Sequence, residues 1–173
     1  MQVVCAYCLQ AIAERPPLDC TDVSHGICDA CMQVVLADDG KNLQTLIEEI
    51  QAPILVFDGD VVAMTANTLA RNILGKNLST IRGYRGGDII ECQEARKPGG
   101  CGHQGICKAC VIRASVTKTH TTGKAVERAL AEQTVFVKQT DDSEIKVKQR
   151  FAISTRKYHD LVLLRVDDVS QVD

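Results

Sequence analysis

Nine cysteines stand in this 173-residue sequence, and eight of them fall into two groups of four. The first group is Cys5-x2-Cys8 and Cys28-x2-Cys31, two pairs separated by nineteen residues. Two intervening residues let both sulfurs of a pair face one ion, and two such knuckles complete a tetrahedron of thiolates. The spacing predicts one zinc ion on Cys5, Cys8, Cys28 and Cys31. A sulfur tetrahedron also accommodates iron in a rubredoxin-like arrangement. Four thiolates close the site, so its expected role is to stabilise the fold and not to perform chemistry. His25 lies within the loop between the pairs and is not needed as a ligand.

The second group is Cys92, Cys101, Cys107 and Cys110, with gaps of eight, five and two residues. Gly99, Gly100, Gly102 and Gly105 surround its middle members. Glycine lets a backbone wrap closely around a cofactor and aim N–H groups at sulfur, which tunes an iron–sulfur centre. The expectation is a second metal centre on these four cysteines, either an iron–sulfur cluster or a second zinc. His103 is an alternative ligand, most easily in place of Cys92. Two other readings stand beside this one. Cys107 and Cys110 could cycle to a disulfide as a thiol switch or thiol oxidoreductase, since Cys110 opens a predicted helix whose positive end favours thiolate. Alternatively the protein is a zinc-stabilised interaction module with no sensing role. Covalent haem is not expected, because the residues after the three Cys-x2-Cys pairs are Leu9, Met32 and Val111 and not histidine.

No Ser-His-Asp set, phosphate loop or paired-carboxylate motif is present, and no enzymatic activity is expected. Aromatic residues make up 3% of the chain, with no tryptophan, so a base-stacking nucleic-acid platform is not expected. Residues 1–52 carry two basic and eight acidic side chains, whereas residues 53–173 carry eighteen basic and fourteen acidic. So acidic a module would repel a phosphate backbone. Arg82, Arg85, Arg96 and Lys97 read as a solvated face. There is no secretory signal pattern and no apolar run long enough to cross a bilayer. The cysteines are therefore read in a reducing cytoplasmic compartment, where metal ligation is favoured over disulfides.

These groups need elements to position them. Asn42 can cap a helix carrying Leu43, Leu46, Ile47 and Ile50 on one face, ended by Pro53. The same stripe is an expected homodimer contact. Ile54–Phe57 and Val61–Met64 flank an Asp58-Gly59-Asp60 turn and predict a hairpin. Thr68–Leu74 is a short helix closed by Gly75. A helix is expected from Val111 to Lys118, with His120 beyond its end. Thr134–Lys138, Glu144–Ile153 and Asp160–Val166 read as strands, joined through Asp141-Asp142-Ser143 and Arg156-Lys157-Tyr158-His159. The expected fold is α+β, with a five-stranded antiparallel sheet and short helices behind a small zinc-binding module. The expected domains are 1–37, the four-cysteine module; 38–52, a linker helix; and 53–173, the sheet domain with its cysteine cluster.

Two stretches resemble known families. SHGICDAC, preceded by CAYC, resembles the four-cysteine module found beside sensor domains in bacterial signalling proteins. PILVFDGD, VVAMTANTLARNILG and three late strands resemble a PAS domain, and GGDIIECQEARKPGGCGHQGICKACVIR resembles a cysteine-bearing PAS subgroup. The resemblance implies a PAS-like sensor of redox state or metal, engaged in signal transduction. The sequence lacks the cysteine motif of flavin photosensors, and its only histidine near the central helix is His120, so neither flavin nor haem is expected. No kinase, cyclase or DNA-binding segment follows the last strand, which implies output through a protein partner such as a separate signalling kinase or regulator.

Overall fold

The structure, a computed structural model, describes residues 2–5, 10–14, 23–26, 28 and 43–172. The chain divides into two compact units, Met1–Glu49 and Ile50–Asp173. Within the first, β1 (Gln2–Cys5) lies between β2 (Ala11–Glu14), antiparallel to it, and β3 (Val23–Gly26), parallel to it. The sequence reading placed only cysteine knuckles here, with no sheet. Val3 and Cys5 are buried on β1, which gives this small sheet an apolar side despite the acidic composition. Helix α1 (Leu43–Glu48) follows, with Leu43 and Ile47 buried one turn apart. Its expected cap, Asn42, lies outside the described residues. The helix stops at Glu48, short of Ile50, and residues 49–52 form a turn and bends before Pro53.

The second unit is built on an antiparallel sheet. Its strands are β4 (Ile54–Phe57), β5 (Ala63–Ala66), β6 (Val126–Lys138), β7 (Glu144–Tyr158) and β8 (Leu161–Gln171), in the order β5-β4-β8-β7-β6. This is the expected five-stranded sheet. All four residues of β4 are buried, as suits a central strand covered on both faces. Helices α2 (Thr68–Leu74), α3 (Gly86–Ile89) and α4 (Val111–Thr122) lie in the crossover between β5 and β6. Ala70, Ile89 and Val116 from these helices join Leu55, Phe57, Val135, Ile153, Val162 and Leu164 from the sheet in one core.

Asn67 ties the start of this crossover to the sheet. Its Oδ1 accepts from the backbone N–H of Ala70, capping α2, and from that of Ile54 on β4, each at 3.0 Å. Its Nδ2 donates to the carbonyl of Ala52 at 2.8 Å. At α2 the expected bounds hold, and Gly75 closes the helix at φ 61°. In the β4–β5 turn Asp58 Oδ1 accepts from the N–H groups of Asp60 and Val62. Val61 is left at φ 62°, a costly conformation for a β-branched residue.

Three expectations change. Helix α4 runs to Thr122 and is closed by Gly123 at φ 72°, so His120 lies on the helix and not beyond it. The late strands are longer than their apolar alternation suggested. Arg156, Lys157 and Tyr158 pair with Leu163, Val162 and Leu161, which satisfies their backbone groups and leaves only His159-Asp160 to turn. Asp167 is the extra residue of a bulge in β8, opposite the Ala152–Ile153 step of β7. Ser154 serves this bulge and the one in β6. Its Oγ donates to Asp167 Oδ2 at 2.5 Å and accepts from the N–H of Arg128 at 3.0 Å.

Candidate functional site

The four cysteines of the second group come from four different local structures. Glu91, at φ 56°, turns the chain so that Cys92 starts a 3₁₀ turn, Gln93–Arg96. Cys92 also forms an isolated antiparallel bridge with Val135 of β6, and the N–H of Phe136 donates to the carbonyl of Glu91 at 2.9 Å. Cys101 lies in a loop where Gly99, Gly100 and Gly102 all take positive φ, which is open to glycine at little cost. Cys107 lies in the 3₁₀ turn Gly105–Ala109, and Cys110 is the N-cap residue of α4. The N–H of Cys110 donates to the carbonyl of Cys107 at 3.2 Å.

All four line one cavity of about 260 Å³. Cys92 is buried and the other three are half-buried. All four are thiols and not disulfides. Burial pushes the Cys92 thiol pKa up, only partly offset by the N–H groups of Glu94 and Ala95, and Cys110 and Cys107 add to the rise. Burial also pushes Cys101 up, against a hydrogen bond from the Gly87 backbone, with Asp88 raising it further. These thiols hold their protons unless a cation displaces them. Among the described residues no group of three or more His, Cys, Asp or Glu converges on a single metal-sized point.

Several residues that sequence reasoning did not select complete the cavity. Gln133 of β6 reaches two of the cysteines. The Cys92 thiol donates to its Oε1 at 3.4 Å, and its Nε2 lies 3.8 Å from Cys110 Sγ. Gly87 allows close approach, since a β-carbon there would lie 2.7 Å from Cys101 Sγ. Arg85 and Arg113 also line the cavity. Arg85 Nη1 donates to the carbonyl of Cys101 at 2.9 Å, and Arg113 Nη1 to that of Gly102 at 3.1 Å. No spacing rule flags a lone glutamine or arginine; only the packing of β6 and α4 around the loop brings them here.

Of the basic residues expected on a solvated face, Arg96 and Lys97 are exposed, whereas Arg82 and Arg85 are half-buried. Arg85 holds the cysteine loop. Arg96 pairs with Glu144 at 2.7 Å and Glu91 at 3.2 Å, and its guanidinium lies 3.8 Å over the Phe136 ring. Lys97 pairs with Glu94 at 2.6 Å. His103 is exposed beside Arg85, with Nε2 3.4 Å from Nη1, and does not line the cavity. His120 faces the sheet turns, where its Nε2 lies 3.1 Å from the carbonyl oxygen of Asp160.

Of the first cysteine group, Cys5 and Cys28 are described, and Cys8 and Cys31 lie outside the described residues. Cys5 is buried at the end of β1, where Gly26 of β3 is its register partner. That parallel pairing carries Cys28 back to Cys5, and the N–H of Cys28 points at Cys5 Sγ at 3.5 Å. A smaller cavity of about 50 Å³ lies in the second unit, lined by Leu55, Phe57, Ile73, Ile112, Phe151 and Leu164 among other apolar residues. No helix among the described residues is long and apolar enough to cross a membrane.

The sequence matches no protein-family profile and no curated protein. Similar solved structures are PAS and LOV domains. One is a LOV protein of Rhodobacter sphaeroides, with TM-score 0.47 and 10% identity over 75% of this chain. The alignment spans 64% of that protein's chain. Another is the PAS domain of a Desulfitobacterium hafniense protein, with TM-score 0.39 and 12% identity, covering 74% of this chain and 99% of that one. A third is a domain of a sensory box sensor histidine kinase/response regulator from Geobacter sulfurreducens. Its TM-score is 0.40 and its identity 13%, over 75% of this chain and 100% of that one.

Proposed function

We propose that the second unit is a PAS-type sensory domain whose cavity carries a redox-active iron–sulfur centre on Cys92, Cys101, Cys107 and Cys110. The single observation that carries this reading is the convergence of four thiols, far apart in sequence, on one cavity in the crossover region. A space of about 260 Å³ lined by four cysteines has room for a polynuclear group. An iron–sulfur cluster supplies one-electron redox chemistry and sensitivity to oxidants. The chain's own residues supply the thiolate ligands, the Gly87 approach at Cys101, and the charge of Arg85 and Arg113 beside an anionic site. Zinc on Cys5, Cys8, Cys28 and Cys31 belongs to the first unit as a structural element. Its support is the N–H of Cys28 aimed at the Cys5 sulfur. Output passes to a separate protein partner.

The test is metal and sulfide analysis with an optical spectrum of the full chain purified anaerobically. Iron, inorganic sulfide and a broad visible absorption, all lost in Cys92→Ser and Cys110→Ser, are the expected result. Two zincs and no visible absorption overturn the iron–sulfur reading and favour a zinc-stabilised interaction module. A second reading, a dithiol switch on Cys107 and Cys110, is favoured by the position of Cys110 at the N-terminus of α4. Dithiol-reductase activity lost in Cys107→Ser, with metal content unchanged, would select it.

A further inference from the structure

We infer that the smaller cavity of the second unit is a binding pocket for a small apolar gas, dioxygen in particular, set one layer of residues from the cysteine cavity. The pocket stands on its own geometry. Its role in holding an oxidant beside the centre rests on the proposed function.

Size and lining fix the class of ligand. The cavity measures about 50 Å³, space for a molecule of a few heavy atoms. Among the described residues it is lined only by apolar ones, including Leu55 and Phe57 of β4, Phe151 of β7, Leu164 of β8 and Leu74 of α2. Water needs several polar partners to stay in such a space, so an apolar cavity remains dry and takes xenon or small apolar molecules instead. The rim is apolar too. Ile73 of α2 is 61% exposed and Val169 of β8 is 38% exposed, so a dissolved gas enters without passing a charge.

The pocket adjoins the cysteine cavity. Gly86, Ile90 and Ile112 line both spaces and form the wall between them. Gly86 keeps that wall thin. It lies in α3, and a helical backbone is open to alanine. A β-carbon there would stand 3.7 Å from Ile112 and 3.8 Å from Phe57, which are ordinary contact distances. Neither backbone nor crowding requires glycine, and its missing methyl leaves space in the wall. The cysteine cavity itself has charged residues in its lining, among them Asp60, Arg85, Glu94 and Arg113. Polar oxidants can enter there, whereas an apolar one gathers in the dry pocket. Its reaction with the centre is a one-electron step, in which the cluster loses an electron and dioxygen leaves as superoxide.

The first experiment needs no metal. Methyl NMR spectra of the full chain, stripped by chelator under reductant, are recorded under xenon pressure and then with dissolved dioxygen, which speeds relaxation of nearby methyls. Saturable xenon shifts and faster relaxation are expected at Ile73, Ile112 and Leu164. They are not expected at Val116 and Val162, which are buried in the same core but line neither cavity. Equal effects at all five residues, or none, overturn the inference whether or not the centre exists.

The second experiment uses the chain loaded with iron and sulfide. Gly86→Ala thickens the wall and Ile73→Trp covers the rim. Each should slow the change in visible absorption caused by dioxygen about threefold or more, since a filled cavity no longer holds gas. Oxidation by ferricyanide, a charged complex too large for the pocket, should keep its wild-type rate. Should Gly86→Ala fail to fold, Ile73→Trp, at an exposed position, carries the test. Variants that lose the xenon shifts yet react with dioxygen at the wild-type rate overturn the pocket's role beside the centre. A wild type that takes up no iron overturns the proposed centre, and the metal-free spectra then decide the pocket alone.

Discussion

Gly102 lies beneath the guanidinium of Arg113: a β-carbon on Gly102 would stand 2.3 Å from Arg113 Nη1 and 3.0 Å from Arg85 Nη1. The residue is also at φ 90°, which side-chain-bearing residues rarely adopt. One glycine thus lets two cations close over the loop that presents Cys101. Its replacement tests both requirements at once.

Gly102→Ala is expected to destabilise the protein by about 1–3 kcal/mol through strain and displacement of Arg113. Chemical denaturation measures the loss. Adding Arg113→Ala should recover only the part due to contact, leaving the backbone part, which a double-mutant cycle separates.

Gly87→Ala should act on the cofactor and not on the fold. Its β-carbon would meet Cys101 Sγ at 2.7 Å, and its backbone needs no special conformation, so the thiol must move. Metal affinity at the second centre is expected to fall about 10–100-fold, the range seen when the surroundings of a ligand are disturbed. Zinc content assigned to the first group should be unchanged, which elemental analysis checks.

Asn67→Ala removes the cap of α2 together with the acceptor for Ile54 and the donor to Ala52. The side chain is 1% exposed, so water cannot substitute. A loss of about 2–3 kcal/mol is expected from the missing cap and the unmet buried groups. Denaturant midpoint is the readout, and Asn67→Asp should lie between, since it keeps both acceptances.

Asp167 sets one acid limit of the sheet. Burial raises its pKa, but the Ser154 hydroxyl, the Arg165 guanidinium at 2.5 Å and the charge of Arg128 together hold it below its ordinary 3.8. A carboxyl depressed in the folded state contributes stability that is fully present above its unfolded pKa. That stability is lost as pH falls through the lower folded value. Stability should therefore be insensitive to this group from pH 7 to 5 and decline below about 4. Asp167→Asn should cost about 1.5–3 kcal/mol at pH 7 and reduce the acid-side slope, as followed by urea melts at several pH values.

Where the sequence was legible, a local physical rule was at work. Gly75 ends α2 because a helix stop needs a left-handed residue, which is readable at one position. Asp58-Gly59-Asp60 marks its turn in the same local way. Polar residues in β7 concealed its length: Arg156 and Lys157 look like a loop until β8 is seen to pair with them. His120 lies within its helix although Thr119, Thr121 and Thr122 are weak helix formers, and Gly123 supplies the stop.

The sequence by itself determined which atoms are available for chemistry: two groups of four cysteines, glycines around the second, and no other catalytic set. Those are matters of residue type and spacing. Only the tertiary structure decided that Cys92, Cys101, Cys107 and Cys110 share one cavity, that Arg85 closes over it, and that Gln133 reaches in from β6. Each depends on pairing between segments dozens of residues apart. Sheet register and the crossover path set that pairing, and they are properties of the whole fold.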